Sequence, residues 1–195
     1  DVLKFYRDYY VPNNLVFSIV GNFDTKEVVR LIQNEFAGLP SGTLPEVVPA
    51  SPPVLNSPQE KFLFRESHAV WLVIGYPAPH IRSEDFAVME VLDSIMGGSM
   101  NSRLFVELRD KQGLAYQIGS SYIPRTGPSF FAAFLGTEPE KFERAKLAVL
   151  KEVEKFKTEL VEEEELKRAK TYICGSFIMK QESNAGQASM LAQYE

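Results

Sequence analysis

Cysteine is almost missing from this 195-residue chain. Cys174 stands alone, which excludes an internal disulfide and a thiolate metal cluster. Its setting in a helical pattern with Tyr172, Ile173, Phe177 and Ile178 predicts a buried packing residue rather than a reactive thiol. Histidine is nearly as scarce. His68 and His80 lie twelve residues apart, in no His-Glu-x-x-His or His-x-x-Glu-His pattern. A zinc peptidase needs closely spaced imidazoles and carboxylates that converge on the metal. Both histidines are therefore expected to be ordinary loop or strand residues, with no metal ligand and no catalytic residue in the chain.

Positive charge is also in short supply. Twenty-one basic against 26 acidic residues give a net charge of −5, and no basic stripe exists to neutralise a phosphate backbone, so nucleic acid is excluded as an expected partner. No apolar run approaches the roughly 20 residues that cross a bilayer, because AVWLVIGY (Ala69 to Tyr76) is strand-sized. No G-x-S-x-G surrounds a nucleophile, and Gly97-Gly98-Ser99 lacks the lysine and spacing of a phosphate loop. Nor does Asp1 follow an initiator Met or a leader, so the chain is expected to be a piece of something longer. The acids Glu162 to Glu165 run consecutively, as on a solvated helix start, rather than converging from turns as cation ligands do.

What remains is a globular composition, 45% hydrophobic and 24% charged, able to bury a sizeable core. Residues 1 to 10 read as helix. After Pro12-Asn13-Asn14, the run LVFSIVG (Leu15 to Gly21) reads as a buried strand. Asp24 and Glu27 stand at capping-box spacing before an amphipathic helix that Gly38 ends. From Leu39 to Gln59 lie six of the twelve prolines, which predicts an extended linker. Strands are then expected at Lys61 to Arg65 and Ala69 to Tyr76, a helix from Ser83 to Gly97-Gly98, and a second helix from Met100 to Lys111 with Gly113 at C′. LAYQIGSSYI and PSFFAAFLGT, joined by Pro124-Arg125-Thr126-Gly127, should form an antiparallel hairpin. Long helical patterns over Glu140 to Leu160 and Glu162 to Met179, with another from near Ser183, complete an α+β fold in which helices cover one face of the sheet.

One constellation stands out. In NSRLFVELRDKQGLAYQI, from Asn101 to Ile118, Arg109 and Tyr116 flank one helix-strand junction. A guanidinium with five fixed donors and a phenol with one can together hold the carbonyl oxygens of an extended peptide laid along a sheet edge. The physically plainer alternative is an arginine paired with a surface acid and a tyrosine in the core.

These residues resemble the C-terminal half of a pitrilysin/insulinase-like zinc metallopeptidase module, the inverzincin family that includes mitochondrial processing peptidases and core subunits of respiratory complex III. The matching motifs are Leu92-Asp93-Ser94-Ile95-Met96-Gly97-Gly98, Ser102-Arg103-Leu104-Phe105 and Leu108-Arg109-Asp110-Lys111-Gln112-Gly113-Leu114-Ala115-Tyr116. Phe5 to Asp24 and Glu164 to Lys170 match at the two ends, so the resemblance spans nearly the whole chain. It implies half of a LuxS-like metallopeptidase fold with a mixed, largely antiparallel sheet. Residues 1–40 would close a preceding domain, 41–59 would link, and 60–195 would form most of a non-catalytic domain. The implied role is to grip extended peptide with Arg109 and Tyr116, with Gly97 and Gly98 as further substrate-binding candidates. Zinc would sit in a partner domain or subunit, and the partners would be that catalytic domain, the peptide substrate and a second copy in a homodimer. The family's catalytically inactive structural subunits supply the alternative. By analogy, the compartment would be a bacterial periplasm or cytoplasm.

Overall fold

The two apolar segments joined through Pro124 to Gly127 pair as a hairpin, because alternating apolar positions on both sides give each strand one face to bury. In the computed structural model, which describes residues 1–46 and 55–194, they form β2 (Gln117–Ile123) and β3 (Ser129–Thr137). The hairpin turn is fastened by Ser129, whose Oγ accepts from the Arg125 amide at 2.9 Å and donates to the Gly127 carbonyl at 3.0 Å. β1 (Val70–Ala78) joins the other side of β3, giving an antiparallel sheet of order β1-β3-β2. Pro77 is tolerated because β1 lies at an edge of this sheet.

The described residues divide into two units, 55–174 and 1–46 with 175–194. In the first, the register sorts side chains by face. Leu72, Ile74 and Tyr76 of β1 align with Leu135, Ala133 and Phe131 of β3, and those with Ile118, Ser120 and Tyr122 of β2. This face packs on helices α3 (Phe86–Met96) and α4 (Phe142–Thr158) and on a π-helix, Phe105–Lys111. The shared core includes Met96, Leu104, Leu108, Leu114, Leu135 and Val149. Each such large aliphatic side chain contributes roughly 1.5–3 kcal/mol by leaving water. Tyr122 enters the core with its hydroxyl satisfied, donating to the Pro79 carbonyl at 2.6 Å. The helix-on-one-face α+β architecture expected from the order of elements is the one observed.

Two cross-links fasten helices within this unit, one to the sheet and one to the segment ahead of the π-helix. Asp93, near the end of α3, accepts from Ser120 Oγ at 2.6 Å, and burial pushes its carboxyl above the usual range while Ser120 and the Tyr122 amide draw it partly back. Arg103 forks to Glu165 with Nε and Nη2 at 2.8 and 2.6 Å, and its guanidinium lies 4.6 Å from the Phe156 ring centroid. Glu165 belongs to α5 (Glu163–Lys180), so the acidic run is not uniformly solvated. Glu162 to Glu164 are exposed, but Glu165 turns inward to an arginine 62 residues away.

In the second unit, α1 (Val2–Tyr9) and α2 (Thr25–Phe36) fall where the sequence places them. Asp24 caps α2 by accepting from the Glu27 amide at 2.9 Å, as the capping-box spacing predicts. The helix expected from Ser183 is α6 (Asn184–Tyr194).

Several expectations are corrected. Leu15 to Gly21 is not a buried strand: Leu15 has extended dihedrals of −108° and 136°, but the run has no ladder among the described residues, and Leu15, Val16, Phe17 and Ile19 are exposed. Lys61 to Arg65 likewise forms no strand, and Phe62, Leu63 and Phe64 lie in the open. A strand exists through the partner it hydrogen-bonds, and apolarity alone supplies none. The helix expected from Ser83 begins at Phe86, because Ser83 Oγ accepts from the Asp85 amide at 3.2 Å and holds a turn there instead. The helix expected from Met100 opens as turn, with its π-helical part from Phe105. Cys174 is exposed rather than buried. Ala169 is the buried position of α5, and at 3.6 residues per turn a side chain five residues on points well away from it. Of the proline-rich stretch, residues 47–54 lie outside the described residues.

Candidate functional site

The junction that carries Arg109 and Tyr116 is built by Gly113. Its φ of +60° is a left-handed conformation that costs a side chain but not glycine. With it, the Gly113 amide returns to the Arg109 carbonyl at 3.1 Å and the Leu114 amide to the Leu108 carbonyl at 2.8 Å. Leu108 and Leu114 are thereby locked in the core on either side of the turn, and the residues between them are thrown outward. Arg109 is exposed, with its guanidinium 4.4 Å from the Phe105 ring centroid. Among the described residues no carboxylate forms an ion pair with it.

Tyr116 is 76% exposed and so is no core tyrosine. Its amide donates to the Gly136 carbonyl at 3.3 Å, and its hydroxyl donates to Glu138 Oε1, also at 3.3 Å. Lys141 Nζ reaches the same Glu138 oxygen at 3.1 Å. Tyr116 thus forms one wall of a cleft of about 250 Å³ with His68, Trp71, Gln117 and Glu138. Arg109 is not among the residues lining this cleft.

The cleft opens at one end of the sheet face opposite α3 and α4, which no described helix of this unit covers. By alternation this face carries Trp71, Val73, Gly75 and Pro77 of β1 beside Phe130, Ala132, Phe134 and Gly136 of β3. Trp71 and Val73 remain 57% and 65% exposed. A Cβ on Gly136 would meet the Trp71 ring at 3.4 Å, and one on Gly119 would meet the Phe134 ring at 3.0 Å. The Trp71 and Phe134 rings therefore reach over glycines of the neighbouring strands, which leaves a shallow, largely apolar platform. Its chemistry is apolar room for the side chains of a bound chain, while main-chain hydrogen bonds to an extended peptide are to be had at the edge strands β1 and β2.

Gly97 and Gly98 lie elsewhere, at the end of α3 against the β2 backbone. A Cβ on Gly97 would fall 2.2 Å from the Ser120 nitrogen, and one on Gly98 3.1 Å from the Asp93 carbonyl oxygen. Both amides donate to that carbonyl, at 3.0 and 2.9 Å. The geometry accounts for this pair by close helix-to-strand packing.

Zinc does not fit the residues present. Among the described residues no group of three or more His, Cys, Asp or Glu side chains could hold a metal ion. His68 lies at the mouth of the cleft, and His80 accepts from the Arg82 amide through Nδ1 at 3.2 Å within a turn. No described helix is long and apolar enough to cross a membrane.

Sequence reasoning passed over Trp71 and Glu138 as partners of Tyr116. Trp71 could have been found from the alternation in AVWLVIGY, which turns it to the face opposite Leu72 and Ile74. Glu138 required the hairpin register, which pairs Gln117 with Gly136 and so brings residues 116 and 138 side by side.

Comparison with known proteins gives this geometry its family. Residues 1–173 match the model described as the Peptidase M16 inactive domain. An uncharacterized zinc protease of Rickettsia felis is 33% identical over 184 residues, 94% of this chain and 43% of that protein. The zinc protease PqqE of Helicobacter pylori is 27% identical over 200 residues, 100% of this chain and 45% of that protein. Among solved structures, a protease from Helicobacter pylori has a TM-score of 0.76 at 26% identity, covering 99% of this chain and 48% of that one. The peptidase M16 inactive domain from Pseudomonas fluorescens has a TM-score of 0.71 at 23% identity, covering 88% and 40%. The chain spans less than half the length of these curated relatives. With residues 1–173 matching its model, this chain belongs to the Peptidase M16 inactive-domain family.

Proposed function

We propose that this chain holds extended peptide for a zinc-bearing peptidase domain or subunit outside it, with Arg109 and Tyr116 donating to carbonyl oxygens of the peptide backbone. The observation that carries the reading is the uncovered apolar sheet face ending at an exposed Tyr116, seven residues from an exposed arginine that has no carboxylate partner among the described residues. Two donors fixed on either side of a turn locked by Leu108 and Leu114 set the peptide's register, and proximity of this kind is what a catalytic partner needs from a non-catalytic one. In the same reading, residues 1–40 close one structural domain, 41–59 link it and 60–195 form most of the next. The exposed apolar run at Leu15 to Ile19, with no ladder among the described residues, suits a chain whose sheet partner lies outside these residues.

The competing reading is an inactive structural subunit of the same family. It draws on the fact that both donors have intramolecular contacts, Arg109 on Phe105 and Tyr116 on Glu138. The test is peptide hydrolysis and bound zinc, for this chain alone and combined with a zinc-bearing partner. The expected result is neither zinc nor turnover alone. In the combination, Arg109→Ala should lower cleavage about tenfold or more, the equivalent of one charge-assisted hydrogen bond, and Tyr116→Phe by less. Cleavage that is indifferent to both substitutions removes the gripping site, and zinc-dependent cleavage by the isolated chain removes the whole assignment.

A further inference from the structure

The cleft beside Tyr116 has a chemistry that backbone gripping does not use. Its floor is the indole of Trp71, laid against Gly136, and Tyr116, Gln117 and Glu138 stand around it in a space of about 250 Å³. Glu138 spends only one oxygen on its neighbours: Oε1 takes both the Tyr116 hydroxyl at 3.3 Å and the Lys141 ammonium at 3.1 Å. Oε2 has no hydrogen-bond partner among the described residues. The carboxylate side chain is 41% exposed, so its free oxygen is open to a ligand.

An aromatic face beneath a half-free carboxylate is the chemistry of a cation site. Ring faces attract cations, and a planar guanidinium stacks on an indole while its edge donates to a carboxylate. We propose that this cleft is a specificity subsite for a cationic side chain of the bound peptide, arginine in preference to lysine. The proposal rests on the reading that Tyr116 holds that peptide, and the geometry links the two events. When the Tyr116 hydroxyl turns from Glu138 to a substrate carbonyl, Oε1 loses one of its two donors. The carboxylate then meets the incoming guanidinium with greater accepting capacity. A neutral or acidic side chain gains nothing from that exchange, so the cleft would select by charge as well as by fit.

Trp71 is the chain's single tryptophan, so its intrinsic fluorescence reports this cleft directly. The experiment titrates the full chain with blocked hexa-alanine peptides carrying one central arginine, citrulline, lysine or leucine, and follows Trp71 emission. Citrulline keeps the shape of arginine without its charge. The arginine peptide is expected to bind about fivefold tighter than the citrulline peptide, the size of one partly exposed cation–π contact and ion pair. Glu138→Gln should erase that ratio. Lys141→Ala, which removes the internal competitor for Oε1, should widen it about twofold, and this gain is expected even if the Glu138 variant folds poorly.

Equal affinity for arginine and citrulline, or tightest binding of leucine, overturns the cation subsite. The gripping role is read separately, from Arg109→Ala weakening all four peptides by the same factor. If that uniform loss occurs without charge selection, gripping stands and the subsite falls. If no peptide binds the wild-type chain, both fall.

Discussion

Removing Arg103 tests whether the Ser102-Arg103-Leu104-Phe105 motif is structural. Its side chain is 14% exposed and that of Glu165 is 20% exposed, which places the pair between a surface ion pair, worth under about 1 kcal/mol, and a buried one, whose disruption costs about 3–5. Arg103→Ala also strips the guanidinium from the Phe156 ring and leaves the Glu165 carboxylate shielded from water with no counter-charge. Together these give an expected loss of about 2–3 kcal/mol, or about 5–10 °C in Tm for a chain of this size. Thermal and urea denaturation followed by circular dichroism would measure it for Arg103→Ala, Glu165→Gln and the double variant. The two single losses should fall short of additive by about 1 kcal/mol, because each removes the same forked contact. Arg103→Lys should recover only part, since an ammonium has no planar fork and stacks less well. A Tm within a degree or so of the parent, or strictly additive losses, would refute the claim that this ion pair fastens α5 to the segment ahead of the π-helix.

Two further outcomes follow from the end of α3. Gly97→Ala would place a Cβ 2.2 Å from the Ser120 nitrogen and 2.5 Å from the Gly119 carbonyl carbon, both backbone atoms of β2 that cannot rotate away. A loss of about 2–3 kcal/mol is expected from this overpacking, measured as a shift in the urea midpoint, and a change under about 0.5 would mean that α3 is not seated on β2 as described. Burial raises the Asp93 carboxyl, so the folded chain holds that proton more tightly than the unfolded one, and Asp93 lowers stability as pH rises from the ordinary carboxylate range through its folded value. Asp93→Asn should therefore gain in Tm relative to the parent at about pH 7 and lose that advantage near pH 4. The opposite trend would show that the hydrogen bonds from Ser120 and Tyr122 outweigh desolvation.

Elements whose identity depends on neighbours in sequence were legible beforehand. The Asp24 cap, the left-handed Gly113 and the Pro124 to Gly127 hairpin all use contacts spanning a few residues, so local composition determines them. The same holds for α1, α2, α4 and α5, whose helical spacing of apolar residues is itself a local pattern, although only α4 and α5 have buried residues. Elements defined by a distant partner were not legible. Leu15 to Gly21 and Lys61 to Arg65 have the composition of strands, but a ladder is a property of two segments, and neither has a second one among the described residues. Glu165 looked like one more solvated acid because its arginine lies 62 positions earlier.

For the site, the sequence alone determined which residues carry donors and that they flank one turn: Arg109, Gly113 and Tyr116 are fixed by local spacing and by the conformation that only glycine adopts without strain. It also determined that His68 and His80 fall in no zinc-binding pattern, since that is a matter of spacing along the chain. Only the tertiary structure decided that Tyr116 shares a cleft with Trp71 and Glu138 and that Gly97 serves a strand contact. Those pairings join residues across the β1-β3-β2 register and between a helix end and a strand. Hydrogen-bond register and side-chain packing are set by the whole core at once, so no local stretch of sequence contains them.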